Sequence, residues 1–462
     1  MISIYNTLNR KKEEFKPISE GKVGMYLCGP TVYDSAHLGH GRSAVAFDVI
    51  RRYFIYKGFD INFVSNYTDI DDKMINRANE KNISVKELSE IIIPLYERDY
   101  GKLNIMPATT HPRATNYIDQ IIDLIKILEK KGATYELEDG IYFDISAFPE
   151  YGKLSKQNME DLQMGSRIQV NENKKNPQDF ALWKKEKPGE PSWTSPWGKG
   201  RPGWHIECSA MSMSLLGETF DIHAGGADLV FPHHECEVAQ SECATNKQFA
   251  NYWMHNGFIN INKEKMSKSL GNFITLENLL DKYPGNVIRF LYLQTNYRSP
   301  INFSEDLITQ SVNTLERIND FVRKIEQIDT DGDATNELVK AIEKTHEKFE
   351  KSMDDDFETP EALAAIFEFI KEVNKLQERV QLTINDRNKV LNFMKKIDTV
   401  FAIIFTEKEE DLSVEILALI NEREEARAKK DWKKSDELRD KLKENGILVE
   451  DTPKGTVWKK IS

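Results

Sequence analysis

The sequence predicts an α/β protein: a Rossmann-like parallel-sheet catalytic domain with an insertion, followed by an α-helical bundle and a small C-terminal domain. Three observations carry that expectation. Lys22–Cys28 and Ile61–Thr68 have the apolar character of strands, and Ser43–Tyr56 between them has helical periodicity, a strand-helix-strand unit that joins parallel strands. Strand-like runs return at Thr219–His223 and Tyr252–Ile261, so a second half of the same sheet is expected after an interruption. From Leu307 to about Ile404 the pattern is helical, with Ile308, Val312, Leu315, Ile318, Val322 and Ile325 recurring at three- and four-residue steps.

Between these anchors the elements follow in order. Helices are expected around Asp71–Glu80 and Val85–Tyr100. From about Ala114 to Arg201 the character changes: a short strand at Ile141–Ile145, a polar stretch at Asn171–Asn176 and a Pro/Gly/Trp-rich run at Pro188–Pro202 mark the insertion. Within the bundle Asp329–Asp333 is an acidic linker, and Thr359-Pro360-Glu361 starts a helix with Thr359 as cap, proline in the first turn and an early acid. Beyond Glu407 come a charged helix pair, a Pro453-Lys454-Gly455 turn and a Val457-Trp458 strand. The expected division is residues 1–113 for the first half of the catalytic domain, 114–201 for the insertion, 202–305 for the second half, 306–406 for the bundle and 407–462 for the C-terminal domain.

A chain of 462 residues, 40% hydrophobic and 30% charged, has the composition of a soluble protein of several domains. Met1–Phe15 is charged where a signal peptide needs an apolar core, and runs such as Ile91-Ile92-Ile93 break within a few residues, so neither secretion nor a membrane span is expected. The four cysteines, Cys28, Cys208, Cys236 and Cys243, are too few and too clustered for a disulfide framework, which points to the reducing cytoplasm. A net charge of -12 argues against non-specific nucleic-acid binding. A specific RNA partner remains compatible, because Arg427–Lys443 carries eight Lys/Arg against four Asp/Glu; the same segment also reads as a solvated helix of mixed charge.

Two motifs carry chemistry. His37-Leu38-Gly39-His40 falls between a strand and a helix, where two imidazoles can meet nucleotide phosphates and glycine permits close approach. Lys265-Met266-Ser267-Lys268-Ser269 follows a strand-like run, and a mobile loop of this composition brings cationic donors to phosphates as negative charge develops. A third constellation lies between them. Five of nine histidines and three of four cysteines fall between His205 and His255, and Pro232–Glu237 reads as a first helical turn that puts His233 and Glu237 on one face. Such a pair can grip a zinc ion, with Cys208 and the distant Cys28 completing a tetrahedron; by spacing alone such a pair is more often a surface pair, and buried cysteines are usually small core residues.

In this order and separation the motifs resemble the signature of class I aminoacyl-tRNA synthetases, and the likeness is closest to the bacterial-type cysteinyl members of that family. Further matching residues run through Met25–Asp34, Thr68–Lys73, Pro112–Thr115, Asp179–Lys184, Gly203–Met211, Asp221–Gly226, Phe231–Glu235 and the tail from Ala428 to Trp458. The resemblance implies ATP-dependent activation of L-cysteine and its transfer to the 3′ end of tRNA(Cys). It implies one Zn2+ on Cys28, Cys208, His233 and Glu237, which selects the substrate as thiolate, and Mg2+ accompanying ATP. It assigns cysteine binding to Gly29, Thr68 and Trp204, ATP binding to His37, Gly39, His40 and Lys268, and catalysis to His37, His40, Lys265 and Lys268. It further implies tRNA held by the bundle and tail, a monomer, and a cytoplasmic location. Trp204 also suits a purely structural role, His37 a helix cap and Trp458 a hydrophobic anchor.

Three residues depart from the family pattern: Tyr67 for a smaller apolar residue, Cys236 for an asparagine beside the ligand helix, and Glu358 for an asparagine after Asp355-Asp356-Phe357. Cys236, three residues from His233, is a competitor for the metal. Rival readings are a ligase that passes cysteine to an amino sugar, a catalytically dead RNA- or zinc-binding relative, and a methionyl-type synthetase, whose zinc is usually held by cysteine pairs that are missing here.

Overall fold

A computed structural model describes residues 1–157, 173–261, 264–265, 274–405, 414–428, 431–452 and 455–460. Its centre is a four-stranded, all-parallel sheet in the order Ala250–Asn256, Phe220–Gly226, Lys22–Leu27, Asp60–Ser65. The two halves expected from sequence thus form one sheet. Its inner strands are buried along most of their length, as befits a parallel sheet covered by helices, and Val23, Met25, Tyr26, Ile222, Ala224, Trp253 and Met254 are all buried.

The helix after the first strand spans Leu38–Tyr56, five residues earlier than its apolar periodicity indicates. The first turn is His-Leu-Gly-His itself, and it has no apolar stripe to read. What starts it is a reciprocal cap: His37 Nδ1 accepts from the Gly39 and His40 amides at 3.0 and 3.4 Å, and His40 Nδ1 accepts from the His37 amide at 3.2 Å. The helices Asp72–Lys81 and Val85–Lys102 lie close to their expected bounds, capped by Asp71 and Ser84.

Between the halves of the sheet, a helix at Ile118–Lys130, unsignalled in the sequence reading, packs against a five-stranded antiparallel sheet in the order Thr134–Leu137, Gly140–Phe143, Phe180–Lys185, Gly198–Pro202, Trp193–Ser195. Its apolar residues form a second core, with Ile121, Ile125, Leu128, Leu182 and Trp183 at its centre.

The run Tyr252–Ile261 is two strands rather than one. The first ends at Asn256; the second, Ile259–Ile261, pairs with Ile301–Phe303. The break falls at Gly257, where a Cβ would meet Arg298 O at 2.6 Å, so the chain passes its neighbour too closely to continue the ladder.

The bundle consists of Glu305–Glu326, Asn336–Asp354, Thr359–Gln377 and Ile384–Phe401. Thr359 does not cap the third helix. Glu358 holds the cap position, and the Thr359 hydroxyl instead donates to Leu293 O at 2.8 Å, tying the bundle to the helix Gly285–Leu293. At the C-terminal end, helices Val414–Ala428 and Trp432–Glu444 precede an antiparallel hairpin, Ile447–Thr452 with Gly455–Lys460, around a small core of Ile420, Leu442, Ile447 and Val449. The Pro453-Lys454 turn residues, the start of the Asn171–Asn176 stretch and the Met266–Ser269 part of the lysine-serine loop lie outside the described residues.

Candidate active site and metal cluster

The sheet's carboxyl ends open into a cavity of about 730 Å³. Cys28, Gly29, His37, Gly39, His40, Thr68, Trp204, Cys208 and His233 all line it, so residues scattered over two hundred positions of sequence share one space. Parallel strands deliver loops to this edge, the usual place for a ligand in such sheets.

Each contributor is placed by its own element. Cys28 leaves the end of the Lys22–Leu27 strand, its amide donating to Ala224 O at 2.9 Å. Gly29 follows, its amide donating to Asn66 Oδ1 at 2.8 Å, and a Cβ there would lie 1.6 Å from Asn66 O; only glycine fits. Cys208 rides on the helix Trp204–Leu216, and His233 and Glu237 sit where the turn Val230–His234 enters the helix Glu235–Thr245.

The four proposed ligand residues converge. Cys28 Sγ lies 3.6 Å from Cys208 Sγ, 3.7 Å from His233 Nε2 and 3.5 Å from Glu237 Oε1, and His233 Nε2 is 3.0 Å from that same oxygen. Ligands bound tetrahedrally at about 2.0–2.3 Å stand roughly 3.3–3.8 Å apart; the three Cys28 distances fall in that range, and the His233–Glu237 contact, a direct ion pair, is shorter, so a zinc-sized ion fits with a slight opening there. All four residues are buried. An alternative group, Cys28, His223, His234 and Glu237, also falls within one 4.8 Å neighbourhood. The first set is the better cage: it offers two sulfurs, and His223 Nε2 already holds the other Glu237 oxygen, Oε2, at 2.9 Å.

The electrostatics agree with a metal cage. Burial would raise the Glu237 carboxyl, but His223 and His233 hold it at about 2. Burial works against His233 as well, and Glu237 with Cys208 pushes it to about 10. Of the two thiols, Cys28 is driven well up, first by burial, while a hydrogen bond from Cys28 brings Cys208 to about 6, so the pair favours one thiolate. Without an ion a proton on His233 balances the buried negative charge; a dication can take that place.

Around this cluster lies a shell of histidines to which the sequence reading gave no role. His205 Nδ1 meets His233 Nδ1 at 2.9 Å, and His255 links His234 to Thr7, each at 2.8 Å. His223, the partner of Glu237, was visible only as part of the Asp221–Gly226 run. Nothing in local spacing marks it, because the strand and helix that bring it to Glu237 meet only in the fold. Trp204 stacks on His233 with ring centroids 4.2 Å apart and is 38% exposed to the cavity. Cys236 faces away: its sulfur lies 3.5 Å from Tyr151 Oη in the insertion, burial pushes its thiol up, and it belongs to neither candidate ligand group. Tyr67 lines the cavity, its ring stacked on His111 at 5.1 Å.

On the nucleotide side, His37 and His40 stack at 3.6 Å, and Tyr96 Oη lies 3.2 Å from His40 Nδ1. Burial, then His37 and Lys73, press His40 well below the ordinary imidazole value, which leaves it neutral at pH 7. The described flanks of the second motif run close by. Lys265 pairs with Asn260, and just beyond the loop His37 bridges Thr275 while the Leu38 amide donates to Ile274 O at 3.2 Å. Only the backbone of Lys265 is described, and Lys268 lies outside the described residues.

Comparison with known proteins agrees with this geometry. Residues 14–313 match the model of the class I (C) tRNA synthetase catalytic domain, 348–406 that of the DALR domain, and 409–458 that of the cysteinyl-tRNA ligase anticodon-binding domain. The chain is 49% identical to the cysteine–tRNA ligase of Thermodesulfovibrio yellowstonii, covering 99% of each, and 49% identical to that of Carboxydothermus hydrogenoformans, covering 100% of each. Among solved structures, methionyl-tRNA synthetase of Mycobacterium tuberculosis in complex with methionyl-adenylate superposes with a TM-score of 0.59 at 14% identity, over 82% of this chain and 89% of that one, a likeness of fold alone. With a class I catalytic domain and a cysteinyl-type anticodon-binding domain on one chain that aligns end to end with such enzymes, the protein belongs to the cysteine–tRNA ligase family.

Proposed function

We propose that Cys28, Cys208, His233 and Glu237 hold one Zn2+, and that this site selects L-cysteine for activation by ATP and transfer to tRNA(Cys). The observation that carries the reading is the convergence of two sulfurs, an imidazole and a carboxylate at ligand spacing on the wall of the cavity that also contains His37 and His40. When bound, the metal would supply a Lewis acid for which a thiolate is a far better ligand than the hydroxyl of serine. A site built around one such bond rejects the analogue lacking it by about 10^4 to 10^5, so no editing site is required.

The remaining roles belong to the chain's own side chains and amides. Trp204, stacked on His233, walls the cysteine pocket, with Gly29 and Thr68 on its floor. His37, Gly39 and His40 receive the ATP phosphates, together with Mg2+ that travels with the nucleotide. His40, neutral, donates a hydrogen bond rather than charge. The cysteine carboxylate then attacks the α-phosphorus, pyrophosphate leaves, and Lys265 and Lys268 neutralise the charge that builds on the phosphoryl oxygens. The terminal ribose of tRNA takes the aminoacyl group. In this reading residues 1–113 and 202–305 do the chemistry, 114–201 is an insertion, and 306–406 with 407–462 grip the tRNA. The protein works as a monomer in the cytoplasm; among the described residues no helix is long and apolar enough to cross a membrane.

The test is ATP–pyrophosphate exchange by zinc-assayed protein with cysteine, serine and methionine, followed by charging of total tRNA. Exchange with cysteine alone, then charging, is expected. Equal exchange with serine, or full exchange from protein stripped of metal, would overturn selection by the four-residue site.

A further inference from the structure

Tyr26 lies two residues before Cys28, and alternation along a strand sends residues two apart to the same face. Its side chain is fully buried, the ring packed on His223 at 5.3 Å and Phe220 at 6.5 Å. Phenylalanine would fill that space equally well. The hydroxyl is the anomaly: no hydrogen bond of ordinary geometry reaches it among the described residues, the Cys208 sulfur being the neighbour placed to take one, and a buried hydroxyl left so is a net cost to the fold. Its charged surroundings are Cys208, Cys28 and Glu237, three of the four residues of the donor cluster. An O–H donor held beside two sulfurs and a carboxylate belongs to a site that is complete only when those groups carry the charge a metal ion would balance.

We propose that Tyr26 is a specificity-determining positioning residue whose hydroxyl, with the metal bound, donates a hydrogen bond to the Cys208 sulfur; this rests on the four-residue metal site proposed above. A hydrogen bond to a metal-bound thiolate draws electron density from the sulfur and weakens it as a donor. The metal then keeps more acceptor capacity for the thiolate of the incoming cysteine. Glu237 is tuned comparably from the other side, since its Oε2 is occupied by His223. The two contacts together keep a four-ligand cage from satisfying its ion completely, which a site that must accept a further sulfur requires.

The test compares Tyr26→Phe with the parent full-length chain, each loaded with Co2+ as an optical probe. In Y26F the sulfur-to-cobalt charge-transfer band should move to longer wavelength, because an unbonded thiolate is the stronger donor. KM for cysteine in pyrophosphate exchange by the zinc form should rise by about tenfold, in the range seen when outer-shell partners of metal ligands are removed, with KM for ATP unchanged. Thermal unfolding adds an independent readout: the metal-free variant should melt at or above the parent temperature, and the gain in melting temperature on adding metal should differ between the two. An unmoved band together with an unchanged cysteine KM would reduce Tyr26 to a space-filling ring and overturn the proposal while leaving the metal site standing. Failure of the parent chain to take up Co2+ would instead overturn the metal site, and this inference with it.

Discussion

At the scale of single residues, the cluster is a problem in charge compensation. Glu237, Cys28, Cys208 and His233 are buried, and removing one partner from such a set strands the others. Cys208→Ser should therefore abolish zinc retention and cysteine-dependent exchange together, which metal analysis and the exchange assay read on one sample; a variant with full zinc would count against the ligand set. Gly29 is constrained by space rather than charge. Because a Cβ would sit 1.6 Å from Asn66 O, Gly29→Ala must displace either the Cys28 sulfur or the strand end carrying Asn66. A shift of that size typically costs about 100-fold in catalysis, so cysteine exchange should fall at least that far while the melting temperature falls more modestly.

At the scale of elements, the nucleotide-side helix depends on its first residue twice. His37 is both the cap of Leu38–Tyr56 and a wall of the cavity. The two roles can be separated. Losing the cap in His37→Ala should destabilise the protein by about 0.5–2 kcal/mol, whereas asparagine, among the best capping residues, should restore stability. Neither variant should recover exchange activity, and melts beside exchange rates would show it. The same helix is tied to Gly285–Leu293 through a buried ion pair, Arg289 Nη2 meeting Asp48 Oδ2 at 2.5 Å, and the Arg289 guanidinium reaches on to the bundle by donating to Phe401 O as well as to Leu103 O. Arg289→Met should cost about 3–5 kcal/mol, measured by urea unfolding, because it leaves the buried Asp48 with one cation, Arg52, and the Met106 amide.

At the scale of the whole molecule, the donor cluster and the matched anticodon-binding domain lie on different stretches of chain. Every donor of the cluster lies between Cys28 and Glu237, whereas the matched anticodon-binding domain spans 409–458 around its own small core. A chain ending at Phe405 should keep cysteine-dependent pyrophosphate exchange within a few-fold and lose most of its tRNA charging. Comparable losses in both assays would show that the C-terminal residues support the catalytic fold as well.

Much of this organisation was legible in the sequence. Apolar runs and periodicities marked both halves of the sheet and the bundle, because burial against neighbouring layers leaves a repeating trace in each element. The four donor residues were legible as one possible set, but only the resemblance singled it out, since spacing can relate His233 to Glu237 on one helix but not to Cys28 on a distant strand. His37 was legible as a possible helix cap, yet the helix was expected only from Ser43, because the first turn of Leu38–Tyr56 carries no apolar stripe. The tertiary structure alone decided the break at Gly257, the diversion of Cys236 to Tyr151 and the pairing of His223 with Glu237. Each depends on an atom from another element arriving within a few ångströms, a condition that leaves no pattern in the residues themselves.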